Sequence, residues 1–174
     1  MGVVSLFRAA PEGSITTPKG FQAGGLHCGL KKTTRNDLGA ILCEVPAVAA
    51  AVYTTNVFQA APLKVTRESV ASSGQHLRAV VVNSGNANAC TGAQGEADAY
   101  AMRAAAAEAF GLGEHEVAVA STGVIGELLP MDRVHAGIAG LPAALAANSE
   151  GAEQFCQAIL TTDLVKKEVC VKLD

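Results

Sequence analysis

The sequence is poor in the large residues that give most protein cores their bulk. Its 174 residues include no tryptophan, 2 tyrosines and 5 phenylalanines, and charged residues make up only 17%. Apolar residues nevertheless account for 49%, and 18 glycines are present. A chain of this length can bury a substantial core. We therefore expect small side chains, closely approaching backbones and an apolar surface that is partly covered by a partner chain.

Long apolar runs and basic stripes are also lacking. The longest candidates, residues 47–52 and 104–107, fall far short of the roughly 20 residues that a membrane helix requires. The N-terminal run at 3–7 is too short for the core of a signal peptide. The net charge is −3, and no basic surface with interleaved aromatics points to nucleic acid. We expect a cytoplasmic protein with no membrane or nucleic-acid partner.

The cysteines follow no disulfide or metal-binding pattern. They are odd in number, widely spaced and without a Cys-x-x-Cys pair: Cys28, Cys43, Cys90, Cys156 and Cys170. The four histidines are scattered without the spacing of metal ligands. We therefore predict free, buried thiols, no metal site and no bound cofactor.

Apolar periodicity predicts an α/β chain with a single domain over residues 1–174. Residues 1–13 should form a loose N-terminal segment. Strands are expected at 15–26, 38–45, 49–54, 78–83, 117–120 and 168–173, and helices at 65–70, 94–110, 131–145 and 149–160. The strands on either side of Pro46 should pair and be buried. The last strand stops at Asp174 without a partner, so we expect the C-terminus to be incomplete.

Two predicted strands run directly into small polar residues. Ser121-Thr122-Gly123 could provide the fixed donors of an oxyanion pocket, although these residues alone favour an ordinary turn. The Asn- and Gly-rich run at 83–92 could curl into a phosphate cradle, or it could be a structural turn whose Asn side chains bond to the backbone. A positive cluster in 31–37 fits either a solvated loop or an anion-attracting rim; it contains Lys31, Lys32 and Arg35.

Six stretches from Pro18 to Lys167 resemble one known family and occur in its order: 18–21, 51–56, 61–62, 83–92, 121–131 and 159–163, the last with Lys167. The family is that of the ornithine acetyltransferases, the bifunctional glutamate N-acetyltransferases of arginine biosynthesis. Asn-Ser-Gly-Asn-Ala-Asn-Ala-Cys-Thr-Gly at 83–92 is highly specific, and Ser-Thr-Gly-Val-Ile-Gly at 121–126 adds to it. Chance agreement of both is not expected.

The resemblance implies a precursor that cuts itself before a threonine. That threonine becomes the N-terminal nucleophile of a β chain and uses its own α-amine as base. Acetyl would move from N-acetylornithine to the threonine and then to glutamate, and some members also take acetyl-CoA. The resemblance further implies a layered α-β-β-α fold that a separate β chain completes, and a heterotetramer of two α and two β chains.

Three residues of this chain match functional positions of the family. Thr122 and Gly123 match the oxyanion-hole pair, in which the hydroxyl and the N–H donate to the tetrahedral oxygen. Thr161 matches a substrate-binding threonine, and the adjacent Thr162 is the weaker match. The Lys-Gly motif and the nucleophilic threonine do not occur before Asp174, so this chain alone is expected to be inactive.

Two alternatives differ from this interpretation in their chemistry. A subunit of a related self-cleaving aminopeptidase or amidase would use water in place of glutamate as the acyl acceptor. A non-catalytic domain would instead bind a small ligand with the loop at 83–92. Acetyl transfer, acetate release and ligand binding without turnover distinguish the three.

Overall fold

Four strands form a mixed sheet in the computed structural model, which describes residues 7–173. The elements along the chain are β1 (Phe7–Ala9), β2 (Phe21–Leu26), β3 (Leu38–Val48), α1 (Ala61–Ser72), β4 (His76–Asn86), α2 (Gly92–Phe110), a 3-10 turn (Glu114–Glu116), β5 (Val117–Val124), α3 (Met131–Ala144), α4 (Ser149–Ile159) and β6 (Val171–Leu173). The sheet order is β2-β3-β4-β5, and β1 pairs with β6 in a separate two-stranded sheet. The predicted α/β class is confirmed.

The parallel pair β4 and β5 determines where the site lies. The other neighbours in the sheet are antiparallel, whereas β4 and β5 run in the same direction, with α2 between them in the sequence. A parallel pair needs such a crossover because the chain must return to the starting edge. The carboxyl ends of β4 and β5 therefore meet at one edge of the sheet.

One face of the sheet is packed more completely than the other. Helices α1, α2 and α3 share a core with the strands; it includes Leu38, Val65, Val81, Met102, Val119 and Ile138. On the opposite face α4 packs over β2 and β3, where a methyl group on Gly25 or Gly39 would contact Ala158. Farther along this face Val80, Val82 and Ala120 are only half-buried. The face over β4 and β5 is thus partly open.

The ends of three helices are determined by residues that can be recognised in the sequence. Helix α2 ends at Gly111, whose φ of 65° is the left-handed conformation that glycine adopts without strain. Helix α1 begins with Pro62 in its first turn, where no backbone N–H is required. The Asn148 side chain accepts a hydrogen bond from the Gly151 N–H at 2.9 Å and caps α4. The predicted helices at 94–110, 131–145 and 149–160 are confirmed.

The predicted buried strand at 49–54 is wrong. Strand β3 continues past Pro46, and its pairing with β4 shifts between Leu42 and Ala47. Proline has no N–H for the ladder, so an irregularity of this kind accommodates it. The residues that follow have no strand beside them, and Val52 is fully exposed.

The predicted half-buried strand at 168–173 is shorter, exposed and partnered. Val171–Leu173 pairs antiparallel with Phe7–Ala9, and all six residues are exposed. The prediction of a loose segment over 1–13 is therefore wrong for Phe7–Ala9, and residues 1–6 lie outside the described part. The pairing was not foreseen because its strands are separated by almost the whole chain.

All five cysteines are free, but they are not uniformly buried. Cys43 and Cys156 are buried, whereas Cys90 is exposed in a turn with a φ of 59°. The expectation of buried thiols fails at Cys90 because the chain turns there into α2. Within residues 7–173, no helix has both the length and the apolar character needed to cross a membrane.

Candidate functional site

The site predicted at Ser121-Thr122-Gly123 lies at the carboxyl end of β5. The strand does not break at Ser121, as the residue pattern suggested, but continues to Val124. Thr122 is paired with Ser84 and Gly123 with Gly85 at the end of β4. The two motifs that the sequence singled out, 83–92 and 121–126, are therefore side by side.

The two hydroxyl groups next to Gly123 differ in their partners. The Ser121 Oγ atom donates to Oδ1 of Asn83 at 2.6 Å, and Asn83 is completely buried. The half-buried Thr122 side chain makes no hydrogen bond to any other described residue. The Ser121 hydroxyl is therefore used in a hydrogen bond within the fold, while the Thr122 hydroxyl remains free to donate to a ligand.

Gly123 has a backbone conformation that only glycine can adopt at this position. Its φ is +136°, and a methyl group built on it would lie 2.6 Å from the Asn86 nitrogen and the Gly85 oxygen. The residue is exposed at the surface. Glycine permits both the conformation and the close approach of the two strands.

The run at 83–92 uses its asparagines to hold its own backbone in place. The Asn83 side chain donates to the Asn86 carbonyl oxygen at 2.8 Å. The Asn88 side chain donates to the Gly95 oxygen at 2.8 Å and accepts from the Thr91 hydroxyl at 2.8 Å. These contacts match the structural turn rather than the phosphate cradle.

The Asn86 side chain reaches from this run to the loop that follows Gly123. Its Oδ1 atom accepts a hydrogen bond from the Asn88 N–H at 2.7 Å. Its Nδ2 atom donates to the carbonyl oxygens of Glu127 at 3.0 Å and Leu128 at 3.2 Å. The two candidate motifs are therefore joined by side-chain bonds as well as by strand pairing.

Asp37 supports the same sheet edge, and its role was missed by the sequence reasoning. This completely buried carboxylate accepts backbone N–H bonds from Cys28, Leu30 and Lys31 at 2.7 to 2.9 Å. Its backbone oxygen accepts a bond from the Ser84 N–H at 2.8 Å. The available signal was an acidic residue directly before a buried strand.

Burial and hydrogen bonding act in opposite directions on the Asp37 carboxyl group. Burial favours its neutral form, but bonds from the N–H groups of Lys31 and Cys28, with nearby His27, outweigh this effect and lower the pKa of Asp37. Burial, with the added effect of the Asp37 charge, raises the pKa of the Cys28 thiol to about 12. Asp37 is therefore a stable anion at neutral pH, and Cys28 a neutral thiol.

The positive cluster at 31–37 divides into one anchored side chain and two exposed ones. Lys31 donates from Nζ to the Asn36 carbonyl oxygen at 2.7 Å, and burial lowers its pKa. Lys32 and Arg35 are exposed. Lys31 therefore serves the loop itself, and an anion-attracting role stays a prediction for Lys32 and Arg35.

Thr161 lies two residues beyond the end of α4. The Ser84 hydroxyl donates to the carbonyl oxygen of Ala158, which is in the last turn of α4. Ser84 is the strand partner of Thr122. Thr161 is exposed three residues after Ala158, and its approach to Thr122 and Gly123 stays a prediction. Among residues 7–173, no cluster of three or more His, Cys, Asp or Glu residues could hold a metal ion.

The profile of the ArgJ family matches residues 22–174. The chain belongs to the ArgJ family. It is 60% identical over 162 residues to the arginine biosynthesis bifunctional protein ArgJ of Bacillus anthracis, covering 93% of this chain and 39% of that protein. It is 59% identical over 163 residues to the ArgJ of Geobacillus kaustophilus, covering 93% of this chain and 38% of that protein.

Solved structures of ArgJ proteins share the fold. The crystal structure of the arginine biosynthesis bifunctional protein from Bacillus halodurans has a TM-score of 0.91 and 57% identity, covering 95% of this chain and 84% of that one. Ornithine acetyltransferase from Mycobacterium tuberculosis, complexed with ornithine, has a TM-score of 0.85 and 40% identity, covering 91% and 84%. The resemblance to the ornithine acetyltransferases is confirmed, whereas the roles of Thr122, Gly123 and Thr161 stay predictions.

Proposed function

We propose that this chain is the α part of a self-processed ArgJ enzyme that transfers acetyl from N-acetylornithine to glutamate in the cytoplasm. It spans about two fifths of the curated relatives that it matches, and we propose that the nucleophile lies in the remaining part. We assign that role to the N-terminal threonine of a β chain. We propose that the enzyme needs no resident cofactor. Acetyl-CoA would be a second acetyl donor, acting as a co-substrate.

The proposed reaction has two half-reactions. The threonine hydroxyl attacks the acetyl carbonyl of N-acetylornithine, its proton passes through the α-amine to the leaving nitrogen, and the C–N bond breaks to release ornithine. The glutamate amine then attacks the acyl-threonine ester, and the C–O bond breaks as the threonine hydroxyl regains a proton. Both steps pass through a tetrahedral oxyanion, which fixed hydrogen-bond donors stabilise.

The difference between Ser121 and Thr122 carries the assignment of the oxyanion donors. Ser121 already donates to Asn83, whereas the Thr122 hydroxyl is without a partner among residues 7–173. Gly123 contributes an exposed main chain at the sheet edge. We propose that the Thr122 hydroxyl and the Gly123 N–H donate to the oxyanion, and that Thr161 contacts the amino-acid part of the substrate.

Apolar surface next to the site supports a β-chain partner. Three exposed side chains follow Gly123, namely Val124, Ile125 and Leu128. Neighbouring apolar surface of this kind marks a contact with another chain. The solved ArgJ chains support separate polypeptides, because this chain covers 84% of each but only 39% of a curated relative. We propose that two α and two β chains assemble into a heterotetramer.

The proposal is tested by Thr122→Ala in the full-length protein, with Thr122→Ser as the matched variant that keeps the hydroxyl. Loss of one oxyanion donor should reduce kcat by about 10²–10³, and self-cleavage should slow as well. Thr122→Ser should retain most of the rate. Acetyl transfer from N-acetylornithine to glutamate is measured together with release of free acetate. A wild-type rate for Thr122→Ala refutes the site, and acetate release without transfer would favour an amidase.

A further inference from the structure

The Asn86 side chain joins the run at 83–92 to the main chain at Glu127 and Leu128. It is 7% exposed at the end of β4. Its two amide hydrogens serve the carbonyl oxygens of Glu127 and Leu128, and its oxygen accepts the Asn88 N–H. A side-chain amide has two donors and one acceptor atom, so each of its polar atoms is in use.

The segment that Asn86 holds has little packing of its own. Residues 123–128 after Thr122 are all exposed, and burial resumes only at Leu129. Main-chain bonds from Ala87 N–H to the Val124 oxygen and from Gly126 N–H to the Ala89 oxygen, each 2.8 Å, tie it to the 83–92 run. A surface segment without buried side chains depends on such bonds for its position.

The anchored segment begins directly at the proposed oxyanion donors. Gly123 touches the Asn86 backbone, and the Asn86 side chain fixes the chain four and five residues farther on. The direction of the Gly123 peptide is therefore constrained at both ends. Catalysis is sensitive to such placement, since a shift of about 1 Å can cost about 100-fold in rate.

We propose that Asn86 is a positioning residue, which orients the Thr122–Gly123 pair by holding the main chain at Glu127 and Leu128. Because its polar atoms are already engaged by Asn88, Glu127 and Leu128, we assign Asn86 no direct contact with substrate. This inference rests on the proposed acetyltransferase function, because the pair must be an oxyanion hole for its orientation to matter.

The decisive variant is Asn86→Asp in the full-length enzyme. It keeps the shape and the acceptor for Asn88, but a carboxylate cannot donate to the Glu127 and Leu128 oxygens. We expect kcat to fall by about 10- to 100-fold, while KM for N-acetylornithine stays within about twofold of wild type. Asn148→Asp is the matched control, because an aspartate caps α4 as well as the asparagine does, and it should keep the wild-type kcat.

The pH profile separates positioning from a merely structural role. The carboxyl group introduced by Asn86→Asp regains one donor when it is protonated, so the ratio of wild-type to Asn86→Asp kcat should shrink as the pH falls. A purely structural role predicts lower stability with no such recovery. If Asn86→Asp does not accumulate, Asn86→Ser provides a single hydroxyl donor, and its kcat should also lie below wild type.

The outcomes distinguish this inference from the function on which it rests. Wild-type kcat in Thr122→Ala overturns the proposed function. A slow Thr122→Ala enzyme combined with wild-type kcat in Asn86→Asp or Asn86→Ser overturns only the role of Asn86. A loss in Asn86→Asp that lies in KM alone, or a kcat ratio that does not change with pH, also overturns it.

Discussion

Gly123 and Asn86 are in such close contact that a methyl group on Gly123 would lie 2.6 Å from the Asn86 nitrogen. The same methyl group would lie 2.4 Å from the Gly85 carbonyl carbon, and the φ of Gly123 is +136°. The absence of a side chain thus allows the carboxyl ends of β4 and β5 to meet. This closeness connects the proposed oxyanion donors to the asparagine-rich run.

Gly123→Ala should therefore damage the site more than a strained glycine elsewhere. The added methyl must push the two strand ends apart, so we expect kcat for acetyl transfer to fall by about 10-fold or more together with a loss of stability. Steady-state kinetics and urea unfolding of the full-length protein provide the measurement.

Gly74→Ala is the matched control for this change. Gly74 has a φ of +65° with no atom within 4 Å of an added methyl, so its cost is conformational, about 1–2 kcal/mol. It should leave kcat unchanged. Equal kcat values for the two variants would contradict the account of Gly123.

The parts of the fold that depend on local sequence could be predicted. Helix α2 was foreseen because its alanines and the Gly111 cap lie within one stretch. Strand β4 was foreseen from its three consecutive valines. The strand proposed at 49–54 failed, because apolar residues form a strand only where another strand is available to pair with them.

The sequence indicates which residues could form the candidate site, but it does not indicate the hydrogen bonds that hold them in place. The roles of Thr122 and Gly123 were implied by the family resemblance and stay predictions, whereas the bonds that hold this part of the chain join residues far apart in the sequence. Asn86 bonds to a carbonyl 41 residues away, and Ser121 to a side chain 38 residues away. The role of Asp37 was not predicted because its partners in the 28–31 loop are backbone N–H groups. Almost every residue type has such a group, so the sequence does not reveal these bonds.

Asp37→Asn should make stability depend less on pH. The lowered pKa of Asp37 means that its ionised form stabilises the folded state above the ordinary value of 3.8 and that this contribution is lost as the pH falls through the folded-state value. The unfolding free energy should fall by about 1.5–3 kcal/mol at pH 7. The difference between wild type and variant should narrow below pH 3.8.

Urea unfolding at several pH values checks this prediction, with Asp132→Asn as the control. Asp132 is an exposed residue in the first turn of α3, so its substitution should change stability far less. A difference between wild type and Asp37→Asn that grows at acid pH would show that the carboxylate does not stabilise the fold.

The Thr66 side chain covers the outer edge of β5, where no further strand pairs with it in the described sheet. Its Oγ1 atom donates to the Val119 oxygen at 2.7 Å and accepts from the Val119 N–H at 2.9 Å. One side chain thus supplies both bonds that a neighbouring strand would make.

Thr66→Val has nearly the same shape but leaves a buried N–H and a buried C=O without partners. The free energy of unfolding should therefore fall by about 1–3 kcal/mol. Hydrogen exchange at the Val119 amide should accelerate in Thr66→Val and not in Thr66→Ser, which keeps the hydroxyl. Equal exchange in both variants would mean that packing of α1, rather than this pair of bonds, closes the edge.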